Sequence, residues 1–264
     1  MKAARGQVVS VGNRSDPDRA QRATTRIVAT PRGPARIWVH EGRGAPAPEA
    51  LATLVLGHGA GGGIDSPDLR RLSGELPKRG IKVVLVEQPW RLSGRRVADR
   101  PEILDQCWRA VVADLQARGD ITGALVCGGR SAGARVALRT AGSCGAAAVL
   151  ALAFPLHPPG RADRSRIAEL AEVSSGIPVL VLQGDRDPFG GPSEVLAELP
   201  AAVVRRPVPP LAGSGVSVVP VPWSDHSLRV GRSAPLTSGE SWEAVEGVIA
   251  WWLRAISAAH RTAA

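Results

Sequence analysis

The stretch from Thr122 to Val136, TGALVCGGRSAGARV, decides how the chain is organised. Ala124, Leu125, Val126 and Cys127 form an apolar run of buried-strand length, and the small residues from Ala132 onward, with Val136 and Leu138, begin a helix. Between them lies Gly129-Arg130-Ser131-Ala132-Gly133. In this G-x-S-x-G pattern a strand turns straight into a helix, and the serine stands on the turn above the sheet. Glycines suit the turn because the flanking backbones come close together and a Cβ would clash. Held in a backbone region that costs on the order of 1–3 kcal/mol, Ser131 is the candidate nucleophile. A glycine-rich βα turn with a solvated serine is the plain alternative, so the rest of the chain has to decide.

Outward from this stretch, strands and helices alternate. RIVAT and ARIWV flank PRGP over Arg26 to Val39 and read as an antiparallel hairpin. Leu51 to Leu56 is an apolar strand that ends in the glycine loop GHGAGGG, Gly57 to Gly63. Ser66-Pro67 then opens a helix with Leu69, Leu72 and Leu76 on one face. Ile81 to Val86 is the next buried strand, and a helix from Pro101 carries Leu104, Cys107, Trp108, Val111, Val112 and Leu115 at three-and-four spacing. Beyond Ser131, Ala146 to Ala153, Pro178 to Leu182 and Val216 to Val221 are further apolar runs. A last helix from about Ser241 presents Trp242, Val245, Ile249, Trp252, Leu253 and Ile256. The alternation predicts a mostly parallel sheet with helices on both faces and ligands beyond the carboxyl ends of the strands.

Length and composition bound the function. With 264 residues and 44% hydrophobic content, the chain suits one α/β domain, expected over residues 25–258. A flexible basic arm (1–24) precedes it and a short tail (259–264) follows. No apolar run is long enough to span a membrane and no signal-peptide block opens the chain, so no membrane partner is expected and a cytoplasmic location is. Cys107, Cys127 and Cys144 lack metal-like spacing and read as buried thiols, so no metal site is expected. The net charge of +9 comes almost entirely from arginines interspersed with acids. Without a basic helix or an aromatic-interleaved patch, nucleic-acid binding is disfavoured. Gly57 to Gly63 matches neither dinucleotide nor P-loop spacing, and no nucleotide or other cofactor is expected.

A serine hydroxyl needs a base, a group to orient that base, and donors for a developing oxyanion. Each can be sought at a strand end. Leu182-Gln183-Gly184-Asp185-Arg186-Asp187-Pro188 places two carboxylates past one strand, and Trp223-Ser224-Asp225-His226-Ser227 places a histidine past the last. Serine, aspartate, histidine is the chain order of one known triad arrangement.

On these motifs the chain, over roughly Arg26 to Leu253, resembles the α/β-hydrolase superfamily and, within it, the dienelactone-hydrolase-like proteins without a large lid domain. The HGAGG at His58 to Gly62 and the HPPG at His157 to Gly160 are similar to that group. The resemblance implies a cofactor-free serine hydrolase acting on an ester, thioester or similar acyl bond of a small molecule, of carboxylesterase or dienelactone-hydrolase type. It implies Ser131 as nucleophile, His226 as base and Asp187, third after Gly184, as the acid, with Asp185 as runner-up. It also implies an oxyanion hole from the N–H groups of Ala132 and Ala60, with Gly61 as fallback, and a loop-shaping role for His58. His157, Arg130, Arg91 and Arg95 are candidates to contact substrate. The arginines, with Arg96 and Arg100, would suit an anionic one, the plain alternative being a solvated arginine-rich loop. A catalytically inactive scaffold on the same fold is the alternative function.

Overall fold

A computed structural model describes residues 23–42, 51–173, 176–205 and 214–263. Nearly all of the expected N-terminal arm, residues 1–22, lies outside the described residues. These form an eight-stranded sheet of β1 (Thr24–Thr30), β2 (Gly33–His40), β3 (Ala52–Gly57), β4 (Ile81–Glu87), β5 (Ala124–Arg130), β6 (Ala148–Leu152), β7 (Pro178–Gly184) and β8 (Gly215–Val221), in the order β1-β2-β4-β3-β5-β6-β7-β8. The hairpin predicted around PRGP is the antiparallel pair β1–β2, and β2 joins β4 antiparallel. All other neighbouring strands are parallel. The helices are α1 (Pro67–Glu75), α2 (Pro89–Leu92), α3 (Pro101–Ala117), α4 (Ala132–Thr140), α5 (Ala168–Val173), α6 (Pro192–Glu198) and α7 (Ser238–Ala263).

The central strands read as unbroken apolar runs because both faces of the sheet are covered. Successive side chains alternate between two cores. Leu54 and Leu56 of β3 join Leu69 and Leu72 of α1 and Ile249 and Leu253 of α7, whereas Val55 between them joins Trp108 and Val111 of α3 and Ala137 of α4. The predicted faces of α1, α3 and α7 are the buried ones. Cys107, Cys127 and Cys144 are free buried thiols. No helix among the described residues is long and apolar enough to cross a membrane.

Element ends depart from the sequence reading where loop contacts decide them. The helix between β6 and β7 begins only at Ala168. Before it, Arg166 N–H donates to Leu156 O at 2.9 Å and Ile167 N–H to Ser165 Oγ at 3.1 Å, bonds that hold the chain in turns. The last helix starts three residues early, at Ser238, because Thr237 and Glu240 cap it reciprocally. Thr237 N–H donates to Glu240 Oε2 at 2.7 Å and Glu240 N–H to Thr237 Oγ1 at 3.2 Å. It continues through residues 259–263, which the sequence reading left as a tail. Short α2 and α6, both opened by proline, were not anticipated. Among the described residues the stretch between β6 and β7 carries only α5, with no large lid domain.

The sheet and α4 meet at three glycines. A Cβ on Gly129 would stand 2.6 Å from Gly133 C and 2.6 Å from Gly57 O, and one on Gly133 would stand 2.5 Å from Gly57 C. These neighbours are backbone and cannot swing aside. Gly133→Ala is therefore expected to destabilise the fold by at least the ~1–3 kcal/mol of ordinary overpacking. Gly74→Ala, in α1 with nothing within 4 Å of its Cβ position, is expected to be neutral or to stabilise by up to about 1 kcal/mol. Thermal melts of the two variants check both outcomes.

Candidate active site

The ends of β5, β7 and β8 bring three of the sequence-predicted side chains into one hydrogen-bonded line. Ser131, at the N-cap of α4, has φ 52° and ψ −110°, a conformation that L residues avoid and that lifts its side chain above the sheet. Its Oγ lies 3.0 Å from His226 Nε2, and His226 Nδ1 lies 2.8 Å from Asp187 Oδ2. Asp187 is only 6% exposed. Its other oxygen accepts Phe189 N–H at 2.9 Å, and Gln183 Nε2 donates to Oδ2 at 3.0 Å. The runner-up carboxylate, Asp185, points its exposed residue out of this line.

Gly184 makes the meeting geometrically feasible. A Cβ there would stand 2.5 Å from Ser224 O and 2.6 Å from Asp225 O, so the histidine loop runs directly against the end of β7. Trp223 and Leu228, either side of His226, have φ 62° and 53°. Such strain in non-glycine residues persists only where surroundings over-determine it. Here Arg186 stacks on Trp223 at 4.4 Å, and Asp225 Oδ1 accepts Ser227 N–H at 2.7 Å and Arg229 N–H at 3.2 Å. Phe189 meets the His226 ring edge-on, with centroids 4.5 Å apart.

His58 is a loop strut. Its Nε2 accepts Gln88 N–H at 3.2 Å, which leaves the proton on Nδ1 to donate to Gly59 O at 2.9 Å. Burial pushes its pKa below the ordinary histidine value. The neutral ring so ties the glycine loop to the end of β4. Ala60, in that loop, and Ala132, first residue of α4, line one small cavity together. Gly61 is exposed, with open space around its Cβ position.

The four residues expected to contact substrate fare differently. Arg130 is engaged by both the first helix and the histidine loop. Its Nε lies 2.9 Å from Asp68 Oδ2, an ion pair whose N–H is not aligned on the oxygen, while Nη2 donates to His226 O at 3.2 Å and Ser227 Oγ at 3.0 Å. The guanidinium is thus built into the scaffold between α1 and the histidine loop. His157 is also engaged within its own loop, with Nδ1 3.2 Å from Arg164 O and Nε2 3.8 Å from Glu198 Oε1. Arg95 pairs with Asp99 at 2.5 Å on the surface. Arg91 lies beside the glycine loop, where its charge helps to depress the His58 pKa.

Sequence reading missed two positioning residues. Gln183 bonds through its amide to both Phe154 N (2.8 Å) and Phe154 O (3.1 Å), and its Nε2 lies 2.6 Å from Gly190 O besides reaching Asp187. Its signal was a lone amide in the apolar run PVLVLQG. Asp68, 1% exposed, was hidden as an ordinary acid in a first helical turn. Among the described residues no group of His, Cys, Asp or Glu is arranged to hold a metal ion. A larger groove of about 490 Å³, lined by Trp38, Ile64 and Lys78 among others, contains none of the three aligned side chains.

This fold and strand-end geometry are those of an α/β hydrolase. The chain belongs to the alpha/beta hydrolase domain family, whose model matches residues 50–254. Among solved structures it is similar to an α/β serine hydrolase without lid from Xanthomonas campestris, at 18% identity and TM-score 0.62 over 88% of this chain and 95% of that one. It is similar also to a dienelactone hydrolase from Anabaena variabilis, at 18% identity and TM-score 0.62 over 88% and 97%. Est1E from Butyrivibrio proteoclasticus matches at 12% identity and TM-score 0.62 over 87% and 98%. Comparison with curated protein sequences finds no match. Family membership supports hydrolase activity in general.

Arg130→Ala would strand the buried carboxylate of Asp68 and release the histidine loop. It is expected to cost about 3–5 kcal/mol, and Arg130→Lys, which keeps the charge but not the fork, to recover part of that. Denaturant melts of the two variants measure the difference.

Proposed function

We propose that the protein is a serine hydrolase that cleaves an ester, thioester or similar acyl bond of a small molecule through a covalent acyl-enzyme. One observation carries the reading: the unbroken line from Ser131 Oγ through His226 to the buried carboxylate of Asp187, at 3.0 and 2.8 Å. Both distances lie within the range for proton transfer.

The chemistry follows from the direction of those bonds. Asp187 accepts Nδ1–H of His226, which leaves the Nε2 lone pair facing Ser131 Oγ. As Oγ attacks the acyl carbon, its proton passes to Nε2, and the imidazolium forms beside a carboxylate that stabilises it. The carbonyl oxygen gains negative charge. Ala132 N–H, at the first position of α4, has no partner within the helix and lies at the positive end of the helix dipole. With Ala60 N–H from the glycine loop it forms the proposed oxyanion hole, and each such donor contributes about 2.7–4 kcal/mol to the transition state in comparable sites. Nε2–H then protonates the leaving oxygen or sulfur as its bond to the acyl carbon breaks. Water, deprotonated by the same nitrogen, attacks the acyl carbon; the bond from that carbon to Oγ breaks, Nε2–H returns its proton to Oγ, and the carboxylic acid leaves with Ser131 regenerated.

Ser131→Ala is expected to lower kcat for an activated ester by about 10⁴-fold or more without lowering the melting temperature, because Ser131 lies at the strand end outside both cores. Residual turnover of more than a few per cent would remove Ser131 from the nucleophile role. Asp187→Asn is expected to lower kcat by roughly 10³–10⁴-fold by favouring the wrong tautomer of His226. Asp185→Asn is expected to change it little. The reverse ranking in steady-state kinetics would assign the acid to Asp185.

A further inference from the structure

The strand order divides the space around Ser131 into two flanks. Asp187 and His226 come from β7 and β8, on one side of β5, while β3 and β4 lie on the other. The leaving group must sit on the His226 flank, because His226 Nε2 protonates it. The acyl chain, bound to the same carbon, is then directed toward the β3–β4 flank.

A cavity lies on that flank. Ala60 and Ala132, the proposed oxyanion donors, line it together with Trp90, Ala98, Leu104 and Trp108. Its volume is about 10 Å³, near the lower limit for one water and so about the size of one methyl group. The walls are held in place. Trp108 is 0% exposed, Trp90 2% and Leu104 8%. The His58 ring lies against Trp90 with centroids 5.5 Å apart, and Gln88 Nε2 donates to Leu104 O at 3.3 Å. Enlarging the cavity would therefore mean moving core side chains or the strut that holds the glycine loop.

We infer that this cavity receives the acyl part of the substrate and limits it to about two carbons, with Leu104 and Trp90 setting the limit. The inference rests on the hydrolase reading and specifies its substrate class: short-chain acyl esters or thioesters, with the size of the alcohol or thiol left to the open His226 flank. Esters whose acyl chain carries more carbons must displace the walls, and a single misfitting methylene discriminates by about 10–200-fold.

The test uses the full chain and p-nitrophenyl acetate, butyrate and hexanoate, which share one leaving group, with labelling of Ser131 by a fluorophosphonate in parallel. The expected result is a fall in kcat/KM of at least about tenfold from acetate to butyrate and again to hexanoate. Leu104→Ala is expected to raise the hexanoate-to-acetate ratio at least about tenfold. Ala98→Leu, at the half-buried rim, provides a variant without a core deletion; it is expected to lower butyrate turnover by a similar factor with its melting temperature retained. Equal or rising rates from acetate to hexanoate, with Ser131 labelled, would overturn the acyl limit and leave the hydrolase reading standing. Absence of both labelling and turnover would overturn both, and labelling without turnover of acetate would overturn the acyl limit.

Discussion

The structure depends on how closely three backbones meet. Gly57 ends β3, Gly129 lies near the end of β5, and Gly133 lies in the first turn of α4. A Cβ on Gly129 would stand 2.6 Å from the backbone of both Gly133 and Gly57, and one on Gly133 would stand 2.3 Å from Gly57 O. Because none is present, α4 can start directly beneath the strand ends, with Ser131 forced to φ 52° at the apex. The same approach brings the glycine loop after β3 beside the start of α4, so that Ala60 and Ala132 face one cavity. Nucleophile geometry and the candidate oxyanion site are two consequences of a single packing constraint.

The other half of the site is assembled by buried polar contacts. Gln183 joins the loop after β6 to the carboxylate of Asp187 and to Gly190, and Arg130 joins buried Asp68 to the histidine loop. Such groups must be nearly fully paired, since an unpaired buried polar atom costs more than the bond it forgoes. They hold the strained segment around Trp223 and Leu228 in position. Arg130, although adjacent in sequence to Ser131, has its charge compensated by the buried Asp68. His58 follows the same logic, since two backbone partners and burial keep it neutral and fixed.

The openness of the strand ends has a matching cause. The chain between β6 and β7 is short and its residues are committed to anchoring contacts, with His157 bonded within the loop and Arg166 donating to Pro155 O at 3.1 Å. Among the described residues of that stretch, α5 is the one helix. The described residues place aromatic and aliphatic side chains on one flank of Ser131, with Phe189 and His226 on the other.

Much of this was written locally. Period-two and three-and-four patterns specify the strands, the inward faces of α1, α3 and α7, and hence the parallel sheet. G-x-S-x-G identifies the elbow, because its glycines have a purely steric reason to be there. The chain order of Ser131, Asp187 and His226 was equally readable. What sequence left open was which carboxylate meets His226, whether Arg130 is free, and where α5 and α7 begin. The first two depend on contacts between segments distant in the chain, such as Gly184 against Ser224 and Arg130 against Asp68 and Ser227, whereas α5 and α7 begin where bonds within their own loops place them. Local sequence determines side-chain periodicity and backbone freedom. The direction of a side chain past a strand end is decided only when distant loops close on it, because sterics and buried charge pairing then leave one arrangement.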